Sequence, residues 1–275
     1  MRPLGIEHIS VFGLPPPDFI RLAADLGCQH ISSGLRPLPY NPHGNPVWSL
    51  ADDAALRRET EQAMAQTGVT ISLGGGVSVA PDVDIRDRAG DLDLLCGLGI
   101  RLFNAISFER DRQRTLDQFG ALADMLASRG AAASLEFAPS SAFRDLAAAR
   151  EAVRKIGRRN FGVMIDTMHF ARSGSSLEEL ESMAPGEINY VQLCDAPTTG
   201  RFETYLEEAM YERMVPGEGE LPLKEILART PRDVVVGLEV PLRSRAQAGV
   251  RPRELLQPCV DAARAMLAEV DAVPA

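Results

Sequence analysis

Short apolar runs of strand length recur along the chain, separated by longer stretches in which alanine and leucine recur among charged residues at helical spacing. The runs begin near Ile6 (IEHISV), His30 (HISSG), Thr70 (TISLGGG), Ile100 (IRLFNA), Ala133 (ASLEFAP), Phe161 (FGVMID), Ile188 (INYVQLCD) and Val234 (VVVGLEV). Their mean spacing of roughly 33 residues is that of one βα unit each. Punctuation between the runs predicts helices over Pro15–Leu26, Ala51–Gln66, Asp82–Leu98, Asp111–Ser128, Ala142–Ile156, Leu177–Met183, Leu223–Ala228 and Arg253–Glu269. Prolines open the first of these and glycines close most of the others, as helix ends prefer.

Strict β–α alternation with nearly continuous apolar strands implies a parallel sheet covered by helices. Eight units and no Pro/Gly/Ser linker favour closure into a single (β/α)8 TIM barrel spanning residues 1–275. No strand is followed by GxGxxG at a helix start, which argues against an open dinucleotide-binding sheet. Two connections are long, Ser33–Ser49 and Ala196–Gly219, and both carry aromatic and arginine residues. Both follow strands, so they belong to the face where barrels build active sites, and they are expected to cover substrate.

Composition narrows the function. Of 275 residues, 45% are hydrophobic, and 38 acidic against 29 basic residues give a net charge of −9. That balance disfavours a nucleic-acid partner. No apolar run is long enough to span a bilayer. The N-terminus has no secretory apolar region, and Cys28, Cys96, Cys194 and Cys259 show neither CxxC spacing nor the density of a disulfide framework. The expected location is the cytoplasm and the default assembly a homodimer. The only lysines are Lys155 and Lys224, both in helix-like stretches, which argues against Schiff-base chemistry.

The chemistry is expected at the strand ends. Strand five ends in Ser134-Leu135-Glu136, strand six in Ile165-Asp166, strand seven carries Gln192 and Asp195, and strand eight ends in Leu238-Glu239. A carboxylate in an apolar strand is costly unless paired or metal-bound. Three at one depth repel each other, a conflict that a divalent cation at their focus removes. The metal-ligand candidates are therefore Glu136, Asp166, Gln192 and Glu239. This all-oxygen set suits Mn²⁺ or Mg²⁺, while Zn²⁺ and Co²⁺ remain compatible with an open site. DxxH spacing from Asp166 places His169 on the adjoining loop edge as a proton shuttle or substrate ligand. His8, in strand one, points either into the barrel or towards the helices and is a further substrate-binding candidate. Arg243 and Arg245 after strand eight are candidates for an anionic substituent.

The motifs GVMIDTMHFARSG, YVQLCDAP, VPGEGELPL and GLEVP, in that order, resemble the xylose isomerase-like TIM-barrel superfamily of sugar phosphate isomerases and epimerases. The resemblance covers essentially the whole chain. Relatives include ketose 3-epimerases, inosose dehydratases, 3-dehydroshikimate dehydratases and endonuclease IV, the last similar in fold only. In such relatives Glu, Asp, His and Glu from strands five to eight hold the metal, matching Glu136, Asp166, Gln192 and Glu239. Gln192 departs from the histidine of many epimerases. It is similar to the glutamine ligand of bacterial 3-dehydroshikimate dehydratases, as are the VQLCDAP segment and Arg213 before PGEGE.

The resemblance implies a metal-dependent isomerase or epimerase of a small polyhydroxy carbonyl compound, acting through an enediolate. Glu136 and Glu239 would exchange the α-proton, with His169 and Arg213 binding substrate oxygens. The alternatives are a dehydratase that expels a β-hydroxyl from the same enolate, and a non-catalytic binding protein on a degraded site.

Overall fold

The computed structural model describes residues 2–272, and its strands close into the barrel that the alternation implies. The strands are β1 (Leu4–Ile6), β2 (His30–Ser33), β3 (Thr70–Val79), β4 (Leu102–Ser107), β5 (Ala132–Glu136), β6 (Phe161–Asp166), β7 (Ile188–Leu193) and β8 (Val236–Leu238). Each pairs in parallel with the next, and Ile6 opposite Leu238 closes β1 on β8. Eleven α-helices lie among the described residues: α1 (Pro16–Asp25), α2 (Ala54–Thr67), α3 (Ala89–Gly97), α4 (Arg112–Ala127), α5 (Leu146–Ile156), α6 (Thr167–Arg172), α7 (Leu177–Glu181), α8 (Tyr205–Tyr211), α9 (Leu223–Ala228), α10 (Arg243–Gln247) and α11 (Pro252–Ala272).

Local chemistry explains the outer layer. Asp53, Asp111 and Asp145 each accept backbone N–H groups at the start of α2, α4 and α5, satisfying donors that a helix start leaves orphaned. On α5, Leu146, Ala149, Ala152 and Ile156 are buried, a stripe of helical period that faces the barrel. These stripes and the outward strand residues, such as Val163, Ile165, Val191 and Leu193, form the main core. Leu73, Met164 and Tyr190, flanked by Leu102 and Val235, form a separate small core inside the barrel.

Four sequence expectations need correction. His8 is not in strand one: β1 stops at Ile6, and His8 opens a 3-10 turn, His8–Val11. The predicted Asp82–Leu98 helix is a 3-10 turn, Ile85–Arg88, followed by the shorter α3. The fifth helix starts at Leu146 rather than Ala142, because Asp145 is its cap. His169 lies within α6 rather than on a loop edge, because the Asp166 carboxylate caps that helix through the His169 N–H at 2.7 Å.

Candidate active site

Strand period two sets the site. Met164 and Tyr190 point into the barrel, so Asp166 and Gln192, two residues further along β6 and β7, point the same way at its mouth. Asp166 lies opposite Gln192 in register, and Gln192 opposite Gly237. Glu136 ends β5, and Glu239 follows β8 with its N–H bonded to Leu193 O at 3.0 Å. All four side chains are buried, Asp166 to 1% exposure and Glu239 to 9%.

Arg213 ties two of them together. It comes from the long connection after β7, held by antiparallel bridges of Asp195 with Met214 and of Glu212 with Leu242. Its Nη1 donates to Asp166 Oδ2 at 2.7 Å and to Cys194 Sγ at 2.9 Å, its Nη2 to Glu239 Oε2 at 2.8 Å, and its Nε to Ala209 O at 2.8 Å. A guanidinium in a buried site is tolerable only with such pairing, and removing either side leaves an uncompensated charge. Burial would raise the Asp166 carboxyl, but Arg213 and then His169 outweigh it and hold Asp166 at about 2. Burial pushes Glu239 well above the usual carboxylate range; Arg213 opposes this, while Asp166, Glu136 and Glu7 reinforce it. Two carboxyls beside one guanidinium are thus driven apart, Asp166 downwards and Glu239 upwards.

On the other side of the mouth, Glu136 accepts from Asn104 Nδ2 at 2.5 Å and lies 3.2 Å from His169 Nε2. His169 Nδ1 lies 2.6 Å from Tyr205 Oη. Burial pushes the Tyr205 phenol far up, so it stays protonated. Tyr205, His169 and Glu136 thus stand in a row at the mouth, and the Asn104 bond orients the glutamate.

Glu136, Glu239, His169 and Arg213 line one cavity of about 250 Å³ together with His8, Asn104 and Tyr205. His8 Nδ1 lies 3.0 Å from Ser32 Oγ, and enclosure by neighbouring groups pushes its imidazole down to about 4. It meets a ligand as a neutral group. Both long connections contribute to the walls, the first through Leu38 and the second through Tyr205, Leu206, Ala209 and Met210. Phe108 and Leu206, each nearly half exposed, add an apolar rim.

Three residues flagged in the sequence serve elsewhere. Asp195 accepts N–H bonds from Ala196, Gly217, Gly219 and Leu221 at 2.8–3.2 Å and so pins the PGEGE loop. Arg243 pairs with Glu207 at 2.9 Å and Arg245 with Glu218 at 2.7 Å, and neither lines the cavity, so neither is placed for an anionic substituent there.

Asn104, Glu7 and Tyr190 went unnoticed, whereas Tyr205 belongs to the long connection expected to cover substrate and does line the cavity. Glu7 follows β1 and accepts from Tyr190 Oη at 2.7 Å beneath the mouth. A Cβ at residue 237 would fall 1.9 Å from Glu7 Oε1, so Gly237 is what admits this acid to the barrel interior. Burial raises Glu7 to about 7, against hydrogen bonds from Ser32 and Tyr190 that lower it. The rule that singled out Glu136, a carboxylate in an apolar run, also applies to Glu7 in LGIEHISV.

The donor set fits a hard divalent ion in its chemistry: three carboxylates and an amide, with Gln192 Oε1 buried and without a hydrogen-bond partner. As they stand, no three His, Cys, Asp or Glu side chains among the described residues are grouped to hold an ion. Gln192 Nε2 donates to Glu239 Oε1 at 2.9 Å, and Arg213 takes one oxygen each of Asp166 and Glu239. An ion held by these residues would have to displace or share those bonds.

Solved structures share the architecture. The IolI protein carrying a zinc atom superposes with a TM-score of 0.80 at 17% identity, covering 98% of this chain and 99% of that one. The probable 3-DHS dehydratase AsbF of Bacillus anthracis gives 0.74 at 14% identity over 96% and 99% of the two chains. D-psicose 3-epimerase of Clostridium cellulolyticum H10 gives 0.69 at 17% over 97% and 99%. No curated protein matches by sequence. The profile of the xylose isomerase-like TIM barrel matches residues 20–257, most of the described barrel, and the chain belongs to that family.

Proposed function

We propose that this chain is a divalent-metal-dependent isomerase or epimerase of a small polyhydroxy carbonyl compound. The observation that carries the reading is the placement of two buried glutamates, Glu136 and Glu239, on one small cavity with a neutral histidine and an arginine. Glu136, Asp166, Gln192 and Glu239 would hold the ion. Bound there, it would polarise a substrate carbonyl and stabilise the negative charge left when the neighbouring carbon loses its proton.

The remaining work falls to side chains of the chain. One glutamate takes the α-proton and the other returns one, so that delivery to the opposite face inverts the carbon. The hydrogen bond from Asn104 orients Glu136, with His169 Nε2 3.2 Å from its other oxygen. His8, the free Asn104 Oδ1 and His169 offer hydrogen bonds to substrate hydroxyls, while the apolar rim excludes water. A cavity of about 250 Å³ suits a compact substrate.

A second reading shares every step up to proton removal. A substrate with a β-hydroxyl would lose it as water from the same enolate, giving a dehydratase. Gln192, matching the glutamine of the dehydratase-like branch, favours this reading.

The test is solvent-deuterium exchange at the α-carbon of candidate polyhydroxy carbonyl compounds with Mn²⁺, together with enone absorbance. Exchange without an enone marks the isomerase, and an enone marks the lyase. In Glu239→Gln carrying full metal, exchange should fall by about 10²–10⁴. Wild-type exchange in that variant would remove Glu239 from proton transfer. Full activity in protein verified as metal-free would refute the metal-dependent mechanism.

A further inference from the structure

We infer that Arg213 is an internal competitor for the metal: its guanidinium neutralises Asp166 and Glu239, holds one oxygen of each, and so opposes the binding of a divalent ion to the same two carboxylates. The inference rests on the metal reading above and concerns what this chain does before the ion arrives.

Its basis is the disposition of oxygens. Asp166 Oδ1 is taken by the His169 N–H and Oδ2 by Arg213; Glu239 Oε1 is taken by Gln192 and Oε2 by Arg213; Glu136 is taken by Asn104 and faces His169. Every carboxylate oxygen of the proposed ligand set already has a polar neighbour, and only the Gln192 amide oxygen does not. The guanidinium bridges two ligands on adjacent strands, each at charge-assisted hydrogen-bond distance.

An arginine cannot shed its proton to make room, and the carboxyls beside it make that still harder, outweighing the opposite effect of burial. Relief must therefore come from movement. The Arg213 N–H bond to Pro241 O at 2.8 Å fixes the backbone, whereas the Nε–Ala209 O bond at 2.8 Å holds the guanidinium itself and must give way or turn as the group swings. The end of the side chain lines the cavity. A guanidinium released there faces the substrate, so metal loading would also supply a donor for a substrate oxygen.

The test is Mn²⁺ titration of apo-protein, with free Mn²⁺ read by electron paramagnetic resonance, for wild type, Arg213→Gln and Arg213→Lys. The glutamine variant should bind Mn²⁺ tighter by about tenfold or more, the worth of one charge-assisted hydrogen bond. The lysine variant, a single ammonium that cannot bridge both carboxylates, should fall between. Circular dichroism of the apo-proteins checks folding; if Arg213→Gln does not fold, Arg213→Lys against wild type carries the comparison. Equal or weaker binding by a folded variant overturns the competition while leaving the metal reading intact. No binding by any of the three at millimolar Mn²⁺ overturns both.

Discussion

Replacing Asp195 with alanine should loosen the loop that carries Arg213 into the site, and the cost can be worked from the geometry. Asp195 is 1% exposed and accepts from Ala196 N at 2.8 Å, Gly217 N at 2.8 Å, Gly219 N at 3.0 Å and Leu221 N at 3.2 Å. In Asp195→Ala the N–H groups of Gly217 and Gly219 can turn to water, because Gly217 is exposed and Gly219 half-buried. Those of Ala196 and Leu221 are buried and left without a partner, at about 1–3 kcal/mol each. The expected loss is about 2–6 kcal/mol, reduced somewhat because a buried carboxylate no longer has to be desolvated. Gly219→Ala should act in the same direction, since its Cβ would stand 2.3 Å from Asp195 Oδ1. Urea denaturation of the metal-free protein measures this as a lowered midpoint at unchanged slope. A loss below about 1 kcal/mol, the worth of one ordinary hydrogen bond, would refute the assignment of Asp195 as the loop's anchor.

Two further outcomes are expected. Gln192→His should tighten Mn²⁺ binding in equilibrium titration, because imidazole binds transition ions better than an amide; weaker binding would mean that the glutamine serves another purpose. In metal-free protein, Glu7 is raised by burial to about 7 from 4.5, so between those values the native state holds a proton that the unfolded chain has lost. Stability should therefore be highest below pH 4.5 as far as this group is concerned, and fall by about 3 kcal/mol as pH rises through 7. Glu7→Gln should flatten that slope in urea titrations run from pH 5 to 8, and an unchanged slope would assign it to other groups.

The fold was legible because eight apolar runs of strand length stand at βα spacing, and only closure covers every strand on both sides. The ligand candidates were legible for a related reason: Glu136, Asp166 and Glu239 interrupt apolar strands where an ion is costly. The same rule does not separate Asp195, one of the same strand-end set, from them. What distinguishes it is a set of backbone donors some twenty residues downstream, which the glycines of PGEGE hint at but do not specify.

Helices α6, α8 and α10, of five to seven residues, carry too few positions for a helical period to show. His8 was misplaced because its run reads as continuous strand, whereas the chain turns away from β1 after Ile6 to present the imidazole to the cavity. The bridge from Arg213 to both Asp166 and Glu239 joins residues 47 and 26 positions apart. No local pattern could show it.

The central claim, that Glu136, Asp166, Gln192 and Glu239 hold one divalent ion at the cavity, is tested most directly by anomalous diffraction at the manganese edge from crystals grown with Mn²⁺. The account predicts one strong anomalous peak at the barrel mouth, with oxygens of all four residues within about 2–2.6 Å of it. A peak held by other residues, or an empty mouth at Mn²⁺ concentrations that support α-carbon exchange in solution, would contradict it.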